Sequence, residues 1–215
     1  MVQENRNMRD KLNRLLLGLN WVEREDRIAL RYIGGLDRVL DVGCGDGSFM
    51  AKFPFGNILG IDIDEEKVKM CEEKGLEAYV MDALSPALRG KFNAVHCSHV
   101  IEHLYPDQFQ CLMANIDDML EVGGFLVVRS PSMWKGFYDE PTHIRPYPPK
   151  AVKKYLPGYR LLHLSYCFRA WYLRWGPNTR SLRSYLNCFA SMLSYFGIWH
   201  CRKDVYIMVL QKVKG

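Results

Sequence analysis

The sequence predicts one α/β domain, covering residues 1–215, with a doubly wound, mostly parallel sheet and helices on both faces. Three observations lead to this prediction. The length of 215 residues suits one globular domain, short β-rich segments alternate with helical ones, and a glycine-rich turn follows the first β-rich segment. Parallel strands need crossover connections, which the helical segments between them supply.

The sequence pattern of residues 1–34 predicts two helices. Apolar side chains recur at helical spacing in the first one, at Met8, Leu12, Leu15, Leu16 and Leu19. The second runs from about Val22 to Ile33, because Gly34 and Gly35 follow it as stop signals. Charged residues interrupt the first twenty positions, so we expect no signal peptide and predict a cytoplasmic location.

The sequence of residues 36–131 predicts the strands and helices that form the core of the sheet. Its strands are the β-rich segments RVLDV, NILGIDI, EAYVMDA, FNAVHCS and GFLVVRS. Helices are predicted between them, as in DEEKVKMCEEKG and PDQFQCLMANIDDMLEVGG. Pro106 suits a first helical turn, and Gly123 with Gly124 suits a helix end followed by a turn.

The pattern changes after Ser130. A long loop at 132–150 leads into a short helix, PKAVKKYL, and two strands, YRLLHLSYCF and DVYIMVLQKV. Residues 168–203 form an insertion longer than a hairpin needs, which we predict to be a basic, aromatic, helical lid over a substrate. Its apolar segment LNCFASMLSYFGIW is too short to span a bilayer, so no transmembrane span is expected. Core packing and peripheral membrane contact through residues 180–200 both fit that segment.

Charge and cysteine usage narrow the function classes. From Pro141 onward the chain has thirteen Lys or Arg residues and a single acid, Asp204, with many aromatic side chains among them. This composition suits an anionic partner, although a solvated basic face is the alternative. The seven cysteines are odd in number and form no CxxC pair, which indicates a reducing compartment and argues against a disulfide framework or zinc knuckle.

The turn after the first strand, VLDVGCGDGSF, combines glycines with two acids, Asp41 and Asp46. A dinucleotide would bring a pyrophosphate to this turn, where the carboxylates would repel it. S-adenosylmethionine has no phosphate, and its sulfonium and ammonium groups are cationic. Asp62 lies nineteen positions after Gly43, at a strand end where a carboxylate can accept from both ribose hydroxyls. Asp64 is the competing candidate, in the turn or helix cap.

Four segments, VLDVGCGDGSF, GIDIDEEKV, MDA and CSHVIEHL, resemble in order and spacing the motifs of class I S-adenosylmethionine-dependent methyltransferases, over about residues 36–150. The resemblance implies a Rossmann-like, seven-stranded sheet of order 3-2-1-4-5-7-6 with an antiparallel last strand. It also implies S-adenosylmethionine as the cofactor. The residues that it assigns to cofactor binding are Asp41, Gly43, Cys44, Gly45, Asp62, Ile63, Asp82, Ala83, Ser98 and His99.

The same resemblance implies a contact for most of these residues. Asp62 holds the ribose, and Asp82 with Ala83 meets the adenine. Ser98 and His99 lie beneath the methionine end of the cofactor. The methionine moiety itself is held by the turn residues Asp41, Gly43 and Gly45.

The loop DEPTHIRPY follows the fifth strand, at the sheet edge where ligands bind in open α/β folds. His143 in this loop is the predicted general base, because an imidazole titrates near neutral pH. Asp139 or Glu140 would orient it, while Arg145 and Tyr147 would grip an anionic acceptor. The predicted catalytic set is therefore His143, Glu140 and Arg145. The alternative is that these loop residues only satisfy backbone carbonyls.

The segment HVIEH matches the H-x-x-E-H pattern of some zinc peptidases, but it lies in a strand-to-helix link rather than a long helix. It is also similar to a segment of the small-RNA 3′-terminal 2′-O-methyltransferases, whose acids and histidines hold a divalent ion. Here His99 replaces the first acid of that segment, although Glu102, His103 and His143 could serve with a softer metal than magnesium. No metal is therefore predicted.

The segment HVIEHL followed by PTHIRPY resembles methyltransferases of quinone, glycan and other small-molecule pathways. The implied function is O-methylation of a hydroxyl on a small-molecule, glycan or lipid-linked anionic acceptor. Two alternatives stay open. One is an RNA methyltransferase, whose cations follow phosphates and whose aromatics stack on bases. The other is a non-catalytic partner protein that binds S-adenosylmethionine.

Overall fold

The computed structural model describes residues 21–53, 57–88, 90–134, 136–169 and 202–214. The first predicted helix, at residues 8–19, lies outside the described residues, as does most of the insertion, including its 180–200 segment. Within the described part of the chain, no helix has the length and apolar composition needed to cross a membrane.

The described residues alternate between strands and helices as the sequence predicts. In chain order the elements are α1 (Trp21–Ile33), β1 (Val39–Val42), β2 (Ile58–Asp62), α2 (Glu65–Glu73), β3 (Ala78–Val80), β4 (Phe92–Ser98), α3 (Pro106–Met119), β5 (Leu120–Pro131), α4 (Pro149–Tyr155), β6 (Tyr159–Arg169) and β7 (Arg202–Lys212). Short 3-10 turns lie at Met50–Lys52, Ile101–His103 and Phe137–Asp139. The helix expected at residues 22–33 is confirmed, and Pro106 occupies the first turn of α3.

The seven strands form one sheet of order β3-β2-β1-β4-β5-β7-β6, which confirms the predicted topology. Strand β1 lies between β2 and β4, with Val39 beside Ile58 on one side and Ala94 on the other. Strand β7 runs antiparallel to both β5 and β6, as predicted for the last strand. The carboxyl ends of β1 to β5 therefore meet at one edge of the sheet, where open α/β folds bind ligands.

One predicted boundary is wrong. Helix α3 ends at Met119 rather than at the glycine pair, because Leu120 takes an extended backbone conformation and starts β5. Phe92 pairs with Leu120, whereas Ala94 pairs with Phe125, so β5 carries extra residues between the two pairings. Gly123, with a φ of 91°, lies in that irregular segment and permits its left-handed turn.

Helices cover both faces of the sheet. On one face, α3 and α4 bury Phe109, Leu112, Ile116 and Val152 against the strands. On the other, α1 and α2 bury Ala29, Ile33, Val68 and Cys71. Full burial of a large apolar side chain stabilises the fold by about 1.5–3 kcal/mol, so these layers fix the strand ends in place.

A group of ionic side chains ties α1 to the sheet near the carboxyl end of β5. Arg129 Nε lies 2.5 Å from Glu25 Oε2, and its Nη1 lies 3.7 Å from Asp26 Oδ1. Lys52 makes an ion pair with Asp26 as well. Glu25 and Asp26 are buried, and removing one partner of a buried pair typically costs about 3–5 kcal/mol. Helix α1 is therefore attached to the edge of the sheet that carries the candidate site.

Candidate active site

A cleft of about 630 Å³ lies at the carboxyl ends of β1, β2 and β4. This volume is within the range of small-molecule and cofactor sites. Most of the residues that the sequence assigns to cofactor binding line it: Gly43, Gly45, Asp62, Ile63, Asp82, Ala83, Ser98 and His99. Asp41 and Cys44 do not.

The glycine turn forms one wall of the cleft, and backbone hydrogen bonds hold it to β2. The amides of Gly43 and Cys44 donate to the carbonyl of Ile61 at 2.8 and 3.1 Å. Gly43 has a φ of 70°, and a Cβ there would lie 2.3 Å from Val100 Cγ2. Gly45 has a φ of 54°, but a Cβ on it would meet nothing within 4 Å. The turn thus needs glycine at position 43 for close packing and leaves open space beside Gly45.

The carboxylate of Asp62 is fixed at the end of β2. Its Oδ2 accepts from the Gly45 amide at 2.8 Å, and its Oδ1 accepts from the Asp64 amide at 3.0 Å. Asp64 instead caps α2, since its side chain accepts from the amides of Glu66 and Lys67. Of the two competing aspartates, Asp62 is the one whose carboxylate joins the glycine turn to the second strand.

Two further acids, Asp82 and Asp46, lie in different places relative to the cleft. Asp82 Oδ1 accepts from the Leu84 amide at 2.8 Å, which fixes its carboxylate after β3 on the wall of the cleft. Asp46 lies on the outer side of the turn. Hydrogen bonding from Ser48, together with the nearby Lys74 ammonium, lowers the pKa of Asp46 to about 2. Asp46 therefore keeps its charge across the physiological range without lining the cleft.

Asp41 and Cys44 lie beneath the turn rather than on its open side. Asp41 is 2% exposed, and its Oδ1 lies 2.7 Å from Nδ1 of His96, whose ring stacks on Phe49 at 3.8 Å. Cys44 is also buried, and burial raises the pKa of its thiol. The expected direct contacts of these two residues with a cofactor are absent from the cleft lining, because their side chains point into the packed layer below it.

Sequence reasoning missed His96. The signal for it lies in the strand pairing, because Asp41 and His96 are register partners on adjacent parallel strands. Side chains at paired positions of parallel strands point to the same face of the sheet, so a polar pair was recoverable once β1 and β4 had been placed side by side.

A histidine with a carboxylate partner stands at the end of β4. His99 lines the cleft with a left-handed φ of 57°, and its Nδ1 lies 2.9 Å from Glu102 Oε1. Glu102 is fully buried, and its Oε2 accepts from Ser130 Oγ at 3.1 Å. Because a carboxylate only accepts, the neutral ring of His99 carries its proton on Nδ1 and offers Nε2 as a proton acceptor.

The loop after β5 docks on this region through main-chain atoms. The carbonyl of Glu102 accepts from the amides of Ile144 and Arg145 at 2.9 and 3.3 Å. His143 lies beside His103, with 5.0 Å between ring centroids, and its Nδ1 lies 2.7 Å from the carbonyl oxygen of Phe137. A backbone carbonyl therefore orients His143.

The expected partners of His143 take other contacts. Glu140 is exposed, and its carboxylate accepts from Thr142 Oγ1 at 3.1 Å instead of contacting the imidazole of His143. Tyr147 is buried, with its hydroxyl donating to the carbonyl of Leu104, so it cannot grip an acceptor. Arg145 is exposed and lies over the Tyr147 ring, 5.4 Å from its centroid. His143, Glu140 and Arg145 thus belong to one loop, but the structure does not join them into a triad.

Three comparisons bear on this geometry. The family described as "Methyltransferase domain" matches residues 40–128. A tRNA (carboxymethyluridine(34)-5-O)-methyltransferase from Arabidopsis thaliana is 26% identical over 118 residues, which span 54% of this chain but only 28% of that protein.

Two solved structures share the fold. A SAM-dependent methyltransferase from Archaeoglobus fulgidus superposes with a TM-score of 0.70 at 24% identity, covering 90% of this chain and 94% of that one. The N-methyltransferase NodS from Bradyrhizobium japonicum, crystallised with S-adenosyl-l-homocysteine, superposes with a TM-score of 0.62 at 14% identity, covering 89% and 87%.

Proposed function

Since the chain belongs to the class I S-adenosylmethionine-dependent methyltransferase family, we propose that it transfers the methyl group of this donor to an oxygen atom of an anionic acceptor. The observation that carries the proposal is the pairing of His99 with the buried Glu102 at the wall of the cleft. An acceptor hydroxyl has to lose a proton as it is methylated, and a histidine backed by a carboxylate is suited to take it.

The cleft suits a cationic donor. Three carboxylates line it, from Asp62, Asp64 and Asp82, against one ammonium group, from Lys67. We propose that Asp62 accepts from the ribose hydroxyls and that the open space at Gly45 receives the methionine end of the donor. Asp82 and Ala83 would contact the adenine. A pyrophosphate would meet net repulsion here, which argues against a dinucleotide.

Asp41 acts indirectly in this scheme. Its bond to His96 joins β1 to β4 directly below the glycine turn, and this second layer holds the turn that the donor contacts. Donor binding therefore depends on buried side chains that never reach the ligand.

When bound, S-adenosylmethionine supplies an electrophilic methyl group on a sulfonium that leaves as a neutral thioether. The protein has two tasks, which are to align the acceptor oxygen and to receive its proton. Nε2 of His99 accepts that proton, and Glu102 stabilises the resulting imidazolium through Nδ1. We prefer His99 to His143 as the base because His99 has the carboxylate partner and lines the cleft.

The net positive charge of the chain lies in the sequence after Pro141, which includes the end of the loop after β5. Arg145 is exposed in the loop after β5, and α4 follows with Lys150, Lys153 and Lys154. We propose that residues 132–150 form the acceptor loop and that residues 168–203 cover it as a lid. A phosphate or carboxylate group of a small-molecule, glycan or lipid-linked acceptor would be held by these cations.

One observation favours RNA as a second candidate acceptor. The relative from Arabidopsis thaliana is named for methylation of a modified uridine in tRNA, and the basic, aromatic composition after Pro141 also suits a nucleic acid.

Transfer of label from S-adenosylmethionine tests the proposal. The full chain is incubated with methyl-labelled donor and cell extract separated into RNA, lipid, glycan and small-molecule fractions, with Asp62→Asn, which is expected to bind the donor more weakly, as the matched control. Label in a non-RNA fraction supports the first candidate, and label in RNA supports the second. The ¹³C chemical shift of the transferred methyl then tells an oxygen acceptor from nitrogen or carbon. Donor binding by calorimetry without label in any fraction would contradict both candidates.

A further inference from the structure

Asn115 of α3 lies against the loop that follows β3, and we propose that it is a positioning residue for recognition of the donor's adenine base. Its Nδ2 donates to the carbonyl oxygen of Ala83 at 2.9 Å. Cys111, one helical turn earlier, donates through Sγ to the carbonyl oxygen of Leu84 at 3.3 Å. Side chains four positions apart lie on the same face of a helix. One face of α3 therefore holds two successive carbonyl groups of this loop.

The peptide group between Ala83 and Leu84 is held at both ends. Its oxygen accepts from Asn115, and its N–H donates to Asp82 Oδ1 at 2.8 Å. A peptide group is planar and nearly rigid, so its two hydrogen bonds are coupled. The orientation of the Asp82 carboxylate depends on where this N–H points, and that direction depends in turn on Asn115.

Main-chain hydrogen bonds hold the other side of the loop. The Met81 amide donates to the carbonyl of Asp62 at 2.8 Å, which joins the start of the loop to β2, and the Ser85 amide donates to the carbonyl of Asp82 at 3.0 Å. Any residue other than proline can donate such a bond. The contact from α3 is different, because it needs a side-chain donor at position 115.

The residue type at position 115 is not explained by helix formation. Asparagine is a poorer helix former than alanine, leucine or glutamine, and position 115 is in the interior of α3. Its half-buried side chain bonds to a residue 32 positions away, beyond its own helix. Leu112, one turn earlier, lines the cleft, whereas Asn115 does not. Asn115 therefore acts on the cleft through the loop and not by touching a ligand.

A fixed carboxylate after β3 would distinguish adenine from related bases. This consequence rests on the proposed function, in which Asp82 and Ala83 contact the adenine. The 6-amino group of adenine donates hydrogen bonds, and the carboxylate of Asp82 can accept one while it holds the Leu84 amide. Hypoxanthine has a carbonyl at the same position, which only accepts, so it would face the carboxylate without a hydrogen bond. A carboxylate that is free to turn away discriminates less between the two bases.

Calorimetry on the full chain with S-adenosylhomocysteine and S-inosylhomocysteine tests the proposal. We expect the wild type to bind the adenine compound roughly 10- to 100-fold more tightly, because only adenine gives the charged carboxylate a hydrogen bond. In Asn115→Ala this preference should fall by roughly 3- to 10-fold, the contribution of one neutral hydrogen bond. Cys111→Ser keeps a donor beside the Leu84 carbonyl and should retain the preference.

The matched control is Asn93→Ala. Asn93 is a half-buried asparagine near the amino end of β4, and its Nδ2 donates to Glu121 Oε2 at 2.9 Å. The cleft residue Ser98 is at the other end of the same strand. The control therefore removes a similar hydrogen bond far from the base, and the preference for adenine should not change.

A merely structural role of Asn115 gives a different result. It would lower the free energy of unfolding in urea and weaken both compounds by the same factor, and an unchanged preference in Asn115→Ala would overturn the proposal. Asn115→Asp is the second variant, because an ionised aspartate has nearly the same shape but no side-chain donor, and the same fall is expected. A wild type without preference between the bases would overturn the proposal and leave the proposed function standing. A wild type that bound neither compound would overturn both.

Discussion

The two sides of the cleft are built in different ways. On the proposed donor side, the main chain of the glycine turn bonds to β2, and the carboxylate of Asp62 accepts from the Gly45 amide of that turn. On the acceptor side, imidazoles from separate segments are oriented by the carbonyl oxygens of Thr142 and Phe137 and by the carboxylate of Glu102. We therefore expect the geometry of the proposed donor side to be sensitive to changes in backbone conformation. We expect the geometry of the proposed acceptor side to be sensitive to the identity of its side chains. Three variants test this contrast.

The largest effect is expected from His99→Gln, which removes the proposed proton acceptor. General base catalysis contributes roughly 100- to 10,000-fold, so the initial rate of label transfer into the responsive extract fraction should fall by that factor. Donor affinity, measured by calorimetry with S-adenosylhomocysteine, should change by less than about tenfold. His163→Gln is the matched control. An unchanged rate in His99→Gln would mean that the acceptor side works by alignment alone.

Gly43→Ala should damage the donor side through the backbone. A left-handed conformation costs an alanine about 1–2 kcal/mol, and the contact of its Cβ with Val100 adds overpacking of about 1–3 kcal/mol. The free energy of unfolding in urea should fall by the sum, and donor affinity should fall with it. Gly75→Ala is the control, because Gly75 has a φ of 72° with nothing within 4 Å of its Cβ. If both variants lost equal stability and kept donor affinity, the close packing at Gly43 would have no role in binding.

Asp62→Asn should give the smallest of the three effects. Hydrogen bonds to a charged group contribute about 1.5–3 kcal/mol, so donor affinity should weaken roughly 10- to 100-fold. Asp64→Asn is the matched comparison two residues away, and asparagine caps a helix about as well as aspartate does. Calorimetry should therefore show no loss of affinity in Asp64→Asn. Equal losses in both variants would show that net charge, rather than the position of Asp62, governs binding.

The same contrast explains which features were predictable. The β-rich segments and the turn are local patterns, so the strands and the capping place of Asp64 follow from nearby residues. The seven-strand order came with the family resemblance, and it is confirmed. The end of α3 was mispredicted because Gly123 and Gly124 suit both a helix end and an irregular strand. The segment becomes part of strand β5 because it pairs with β4, a contact that the local sequence does not reveal.

The acceptor side was predictable in part. The sequence placed His99, His103 and His143 near one another, because the strands that precede them end at the same sheet edge. The hydrogen-bond partners of these imidazoles could not be identified from the sequence. The carbonyl of Phe137 and the carboxylate of Glu102 became identifiable only once the loop had docked, and local spacing does not encode which of several acids meets a given imidazole.

The attachment of the acceptor loop has a consequence for how this scaffold could diversify. Within the loop, the amides of Ile144 and Arg145 donate to the peptide oxygen of Glu102, a contact that any amino acid other than proline at those two positions can make. This main-chain contact is thus independent of which side chains occupy positions 144 and 145. Exchanging residues 137–145 would therefore change the side chains presented at this end of the cleft while the main-chain contact with Glu102 is kept.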